Sequence, residues 1–397
     1  MNVSKPTILI LTTHTGGGHM NLAQALKETL ETRYQVVILD PQPSFVGHSY
    51  TAASRHFVKY LEWFFVLTDL RPVSFCVQRF LALTGSRYFR ALVERVQPDL
   101  VIATHAMLSY TAARALDRLH KDAEGRARIP RIPLVFQLTD LGRLNKTWFA
   151  EKKADAYLVP TQEIFAQALE EGIEQDRLSL TGRPIRRQFL EVTPEMREET
   201  LASLGFDPAV FTLFLQGGAM GARVDQTIEG VLSAGKPVQI ILASGNNNGL
   251  VEHYTGNKQV RVLPFTERIA PYMAAANVIA GKAGASFISE AFILEKPFLV
   301  TSFIPGQETP NLHFIEQHNL GWVCPRATEQ IELLLKLASN PALITEKVDS
   351  IRAYRAWNIQ ANQHILPTID RLLEVSGGAV EHAPVYSRGA AYSDSAD

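Results

Sequence analysis

Cysteine is scarce: Cys76 and Cys324 are the two in 397 residues, and no CxxC or Cys/His spacing joins them. That argues against a disulfide framework and a structural zinc site, and suits a reducing cytoplasm. Long apolar runs are missing too. The densest cluster, Trp63 to Leu67, covers five residues, against the ~18–20 that span a bilayer. The N-terminal MNVSKPTILILTT has neither the long apolar core nor the small-residue cleavage site of a signal peptide. Charge of one sign is also absent. The 39 basic and 40 acidic residues leave a net charge of -1, so no global field draws the chain to nucleic acid or to a membrane. Any attraction to an anionic surface is local. The expectation is a cytoplasmic protein that meets a membrane, if at all, from its side.

What is there reads as globular: 46% hydrophobic and 20% charged residues in a length suited to two or three domains. Residues 7–13, 35–39, 99–104, 133–138 and 156–159 are short apolar runs, each followed by polar or helix-forming sequence. This is the rhythm of a doubly wound parallel sheet. It restarts at 211–215 and continues through 238–243, 259–263, 277–280 and 297–301, after which 328–374 read as helical. The charged, proline-containing stretch 182–200 between the two series reads as a hinge. The expected division is therefore 1–182, then 183–375, with a disordered tail over 376–397, where apolar residues are few. Two α/β domains of this kind enclose a ligand between the carboxyl ends of their strands.

Four loops carry candidate chemistry. Thr15-Gly16-Gly17-Gly18-His19 joins the first strand to the first helix. It matches neither GxGxxG nor GxxxxGK[ST]. Its glycines let a ligand approach the backbone closely, and His19 points into the cleft as a general base or an orienting donor; the alternative is a tight strand-to-helix turn. The second half opens the same way, with Gly217 and Gly218 in Leu215–Gly221 suited to a pyrophosphate before a helix. In Gly281–Ala291, loop amides and Ser286 suit phosphate, and Glu290 suits ribose hydroxyls or is a surface glutamate. Pro305–Asn311 offers Gln307 and Glu308 at a strand's carboxyl end for sugar hydroxyls.

Together these stretches resemble a known family. THTGGGH, TDL…TW at 139–148, GRPIRRQF at 182–189, QGGAMG, GKAGASFISEA and PGQETPN stand in the order found in MurG-like glycosyltransferases. They look most like the monogalactosyl- and diglucosyl-diacylglycerol synthase branch, which reads GGGH, TDL-three residues-HPTWF, GLPIR, KAGPGTIAEA and PGQEAGN. The resemblance spans about residues 7–320. It implies the GT-B fold, two Rossmann-like doubly wound domains facing across a cleft, with the acceptor and membrane side in the first and the UDP-sugar in the second. Gly17, Gly18 and His19 would form the acceptor loop, and Gly218 would lie near the donor phosphates. The backbone around Val262, Leu263 and Phe265 would receive the uracil. Ala283, Gly284, Ala285 and Ser286 would hold the diphosphate, Glu290 the ribose, and Gln307 and Glu308 the sugar. The branch's HPTW reads Asn145-Lys146-Thr147-Trp148, placing Asn145 and Trp148 on the acceptor side with asparagine for histidine. Members are inverting and need no metal bound by a DxD motif, and the sequence has none.

Inverting transfer needs a base on the face opposite the leaving group. His19 and Asp140, the latter after the strand 133–138, are the candidates, and His105 after 99–104 would line the acceptor pocket. For the acceptor, residues 55–95 interleave seven Arg and Lys residues with aromatics, which suits an element lying in a headgroup layer; the alternative is an aromatic-rich core helix pair. No RNA-binding motif accompanies them, so nucleic acid is not an expected partner. The preferred reading is transfer of galactose or glucose from a UDP-sugar to diacylglycerol. Other readings keep the fold: transfer to a polyprenyl-linked acceptor, a UDP-sugar epimerase, or a nucleotide-sugar binding module without catalysis.

Overall fold

The computed structural model describes residues 5–13, 17–41, 63, 65–120, 130–216, 224–245 and 247–377. Its short apolar runs are parallel strands. One sheet holds β1 (Thr7–Leu11), β2 (Gln35–Leu39), β3 (Leu100–Ala103), β4 (Leu134–Gln137), β5 (Ala156–Val159) and β6 (Leu178–Leu180), in the order β2-β1-β3-β4-β5-β6. The other holds β7 (Phe211–Gln216), β8 (Val238–Gly245), β9 (Val260–Pro264), β10 (Val278–Lys282), β11 (Phe298–Ser302) and β12 (Gly321–Val323), in the order β12-β11-β10-β7-β8-β9. Helices cover both faces of each sheet, which is why the strands read as continuous apolar runs rather than alternating ones. Within β1, Leu9 and Leu11 enter one core while Ile8 and Ile10 enter the core on the opposite face.

In the first half, α1 (Gly17–Leu30) follows β1, α2 (Arg71–Val96) precedes β3, α3 (Ala106–His120) follows it, and α4 (Gln162–Glu170) follows β5. The stretch read as a hinge is largely helical. It forms α5 (Arg187–Leu190) and the start of α6 (Pro194–Ser203), with Phe189 and Leu201 buried in the same core as Ile279 and Phe292. Two apolar anchors outweigh the surrounding charge. In the second half come α7 (Val224–Ser233), α8 (Asn248–Tyr254), α9 (Ala270–Ala275), α10 (Ala285–Ile293) and α11 (Thr309–Gln317).

The chain closes with α12 (Ala327–Ser339), α13 (Ala342–Asn362) and α14 (Ile365–Gly377). The α13 helix backs α10, with the Tyr354 and Phe292 rings 5.3 Å apart. The sequence assigned everything up to 375 to the second unit. Instead α14 returns to the first sheet, where Ile365 and Ile369 share a core with Ile8 and Ile10. Asp370 on α14 accepts hydrogen bonds from Arg33 (2.5 Å) and from the Tyr34 hydroxyl. The expected tail lies outside the described residues from 378 onward. Among the described residues, no helix is long and apolar enough to cross a membrane.

Candidate active site

Ligands bind doubly wound sheets where neighbouring strands send their chains to opposite faces, beyond the strands' carboxyl ends. In the first sheet the order reverses between β1 and β3; in the second, between β7 and β10. The first crevice is edged by Gly17, Gly18 and His19 at the start of α1 and by His105 after β3. The second is edged by the Lys282–Gly284 turn and the start of α10. The two crevices meet: Ser286 Oγ donates to the Gly18 carbonyl across 2.8 Å. Asn311 at the head of α11 accepts from Leu141 N at 3.0 Å and donates to Asp140 Oδ1 at 3.3 Å and to the Ala283 carbonyl at 3.0 Å. At Gly142 an added Cβ would stand 2.3 Å from the Pro310 carbonyl oxygen, so only glycine lets the halves approach there.

On the first side, His19 and His105 stack with ring centroids 4.6 Å apart. His19 Nδ1 lies 3.0 Å from the Thr104 carbonyl, an acceptor only, so Nδ1 carries the proton and Nε2 the lone pair. His105 is the reverse: its Nδ1 accepts from Met107 N at 3.2 Å, leaving the proton of the neutral ring on Nε2. Burial, with the nearby cations Arg183 and Lys282, lowers the His19 pKa to about 4, although its bond to Thr104 works the other way. Burial and then the neighbouring His19 hold His105 well below its ordinary value. Both rings are therefore neutral at neutral pH, one offering a lone pair and the other an N–H. Asp140 sits at the carboxyl end of β4, where Thr139 Oγ1 donates to its Oδ2 at 3.2 Å. Burial raises its pKa, opposed by Arg183 and by the bond from Asn311.

On the second side, Gly284 caps α10 with no side-chain hydrogen bond to its first turn. The following amides and the helix dipole thus carry no side-chain cap from Gly284, beside which stand Lys282 Nζ and the Glu308 carboxylate paired to it. Ala283, Ala285 and Ser286 are buried beside it. Glu290, 5% exposed, is held at Oε1 by Arg186 Nε (2.9 Å) and Nη2 (2.8 Å). Burial raises the Glu290 carboxyl while Arg186 pulls it back. Glu308, read as a sugar contact, pairs with Lys282 Nζ and accepts from Ile304 N at 2.8 Å. It therefore stiffens the turn ahead of α10.

The remaining candidates separate. Val262 and Leu263 lie on β9, with the Leu263 carbonyl accepting from Ser244, and Phe265 just beyond is 71% exposed. Gln307 is half-buried in the turn before α11. Gly217 and Gly218 lie outside the described residues. Asn145 and Trp148 are not brought to the crevice residues by any described contact. Asn145 caps the 3-10 turn Lys146–Phe149 through Thr147 N (2.9 Å) and donates to the Phe65 carbonyl (2.9 Å); Trp148 is 4% exposed in the first core. Sequence reasoning gave Asn311 no role. Arg183 is 3% exposed and donates from Nη2 to Ser286 Oγ at 2.6 Å.

Known proteins match both halves. Residues 19–185 match the family model for monogalactosyldiacylglycerol (MGDG) synthase, and residues 212–344 match the glycosyltransferase family 28 C-terminal domain. The probable monogalactosyldiacylglycerol synthase 2 of rice (Oryza sativa subsp. japonica) is 28% identical over 338 residues, covering 79% of this chain and 70% of that one. The monogalactosyldiacylglycerol synthase of spinach (Spinacia oleracea) is 26% identical over 391 residues, covering 88% and 71%. The crystal structure of Acinetobacter baumannii MurG superposes with a TM-score of 0.55 over 92% of this chain and 99% of that chain, at 14% identity, a likeness of fold. With two facing parallel sheets and a match in each half, the chain has the fold of MurG-like glycosyltransferases and is similar in sequence to the monogalactosyldiacylglycerol synthases.

Proposed function

We propose that the protein is an inverting glycosyltransferase that moves galactose or glucose from a UDP-sugar to diacylglycerol at a membrane surface. The observation that carries this reading is the meeting of the two crevices at Ser286 and Gly18, which brings a neutral histidine pair opposite an uncapped helix N-terminus. In this reading the diphosphate lies on the first-turn amides of α10. Glu290 Oε2, which has no hydrogen bond among the described residues, accepts from the ribose, and the backbone from Val262 to Phe265 edges the uracil. Gln307 and Glu308 face the sugar. The acceptor hydroxyl oxygen attacks the anomeric carbon from the face opposite the diphosphate, and His19 Nε2 takes its proton. The bond to the diphosphate breaks with its electron pair passing to the departing UDP. His105 Nε2–H orients the hydroxyl, and Asp140 is the second candidate for the base.

The surface of α2 supports the lipid acceptor. Its inward positions are small or polar, Ser74, Gln78, Ala82 and Ser86, ending on Phe89 and Val93. Its outward positions include Phe75, Phe80, Leu83 and Tyr88, 47–76% exposed, next to Arg79 and Arg87, and Trp63, Val66, Leu67 and Leu70 continue the exposed apolar set. A helix that turns its large apolar residues to solvent and its small ones to the core suits a lipid boundary. Beside its start, a cleft of about 360 Å³ opens among Arg71, Phe75, Lys146, Phe149 and Lys152. The test is incubation with UDP-galactose and UDP-glucose in turn on vesicles containing diacylglycerol. A β-linked hexosyl diacylglycerol is the expected product. Transfer only to a polyprenyl phosphate carrier, epimerised UDP-sugar, or no turnover in either incubation overturns the reading.

A further inference from the structure

The sequence GRPIR places an arginine where the resembling branch reads leucine, and the structure buries it. Arg183 sits between Gly182, at φ 65°, and Pro184, with its backbone gripped from α13: Asn358 Oδ1 accepts from Arg183 N at 2.7 Å, and Asn358 and Asn362 Nδ2 donate to its carbonyl at 3.0 and 3.1 Å. A Cβ on Gly182 would stand 2.7 Å from Asn358 Oδ1, so the turn aiming the side chain depends on that glycine. The guanidinium reaches into the cleft. Nη2 bonds Ser286 Oγ at the first turn of α10, while Nη1, buried, has no partner among the described residues. No carboxylate of the described residues lies within ion-pairing distance; Arg186, by contrast, is paired to Glu290. A buried cation with an open donor is costly unless something answers it. The uncapped amides of α10 beside it favour an anion at the same place.

We propose that Arg183, standing where the resembling branch reads leucine, is a leaving-group residue: Nη1 donates to a nonbridging oxygen of the donor's diphosphate while Nη2 stays on Ser286. The inference rests on the glycosyl-transfer reading and deepens it. As the anomeric carbon–oxygen bond breaks, its electron pair becomes charge on the terminal phosphate of UDP. A fixed guanidinium next to that oxygen stabilises the transition state more than the ground state. Before a donor arrives, the same cation is answered only from beyond ion-pairing distance, by Asp140 and Glu290.

The experiment compares wild type with Arg183→Leu, the branch's own residue. Calorimetry reads UDP and uridine binding, thermal unfolding reads both apo proteins with and without UDP, and kinetics read the UDP-sugar. We expect UDP affinity to fall about 10- to 100-fold, the range of a hydrogen bond between charged groups, while uridine affinity stays within twofold. The kcat should fall as well, the apo variant should melt no lower than wild type because a poorly answered buried charge has gone, and the UDP-induced rise in Tm should shrink. Equal losses of UDP and uridine affinity, a lowered apo Tm with an intact UDP shift, or unchanged UDP affinity and kcat overturn the proposal. Should Arg183→Leu not fold, Arg183→Gln is read by the same measurements against the same outcomes. Failure of wild type to bind UDP sinks the transfer reading itself; wild-type binding that Arg183→Leu leaves intact sinks only this inference.

Discussion

At the scale of single residues, the site works by controlling where protons and charges sit. With a His19 pKa of about 4, the lone pair on Nε2 is present throughout the neutral range. His19→Ala should lower kcat by about 10²- to 10⁴-fold, the usual worth of a general base, and leave UDP affinity within twofold; a loss of binding with unchanged kcat would assign the ring to the donor instead. The acid limb of kcat/KM should fall well below pH 6.5, the ordinary histidine value, toward about 4, and vanish in the alanine variant. Stability carries the same signature. The depressed native pKa means that the unfolded chain binds more protons between about pH 4 and 6.5, so stability falls as pH drops through that window. Wild type should lose more Tm across it than His19→Gln. Glu290 poses a different case. Glu290→Gln leaves Arg186, whose side chain is 12% exposed, without its counter-charge, so a loss of about 1–3 kcal/mol is expected in denaturant unfolding; a loss under about 0.5 kcal/mol would mean that water screens the arginine.

At the scale of elements, α2 is the feature whose function a substitution can isolate. Phe80 and Leu83 are 66% and 76% exposed, so Phe80→Glu with Leu83→Glu should leave folding within about 0.5 kcal/mol per change. Binding to vesicles, followed by sedimentation, should fall at least tenfold, and turnover of a water-soluble short-chain diacylglycerol should persist. Unchanged sedimentation would move the lipid surface elsewhere. How much of this was legible beforehand depended on the element. Strands such as Leu134–Gln137 announce themselves because burial on both faces leaves an unbroken apolar run. The three-residue strands Leu178–Leu180 and Gly321–Val323 are too short to carry a pattern, and only neighbouring strands define them. The stretch 182–200 misleads because its charges outnumber Ile185 and Phe189, the residues that dock it. His19 and Ser286 could be found because glycine loops flag strand-to-helix turns. Asn311 and Arg183 acquire meaning only from partners 171 and 103 residues away, a separation that local pattern does not encode.

At the scale of the whole molecule, the halves are held by close backbone contact as well as by side chains. Gly142→Ala drives a methyl into the Pro310 backbone and should cost about 1–3 kcal/mol or spread the cleft. Calorimetric unfolding and small-angle scattering read the two outcomes, and a variant unchanged in both would show that the contact is not tight in solution. The return of α14 to the first sheet has its own consequence. The polypeptide passes from one half to the other twice, near residues 181–187 and again near 362–365. A body joined to its neighbour by one strap is free to swivel and slide; joined by two, it swings like a door about the line through its pins. Cutting the second strap would free the leaf to twist.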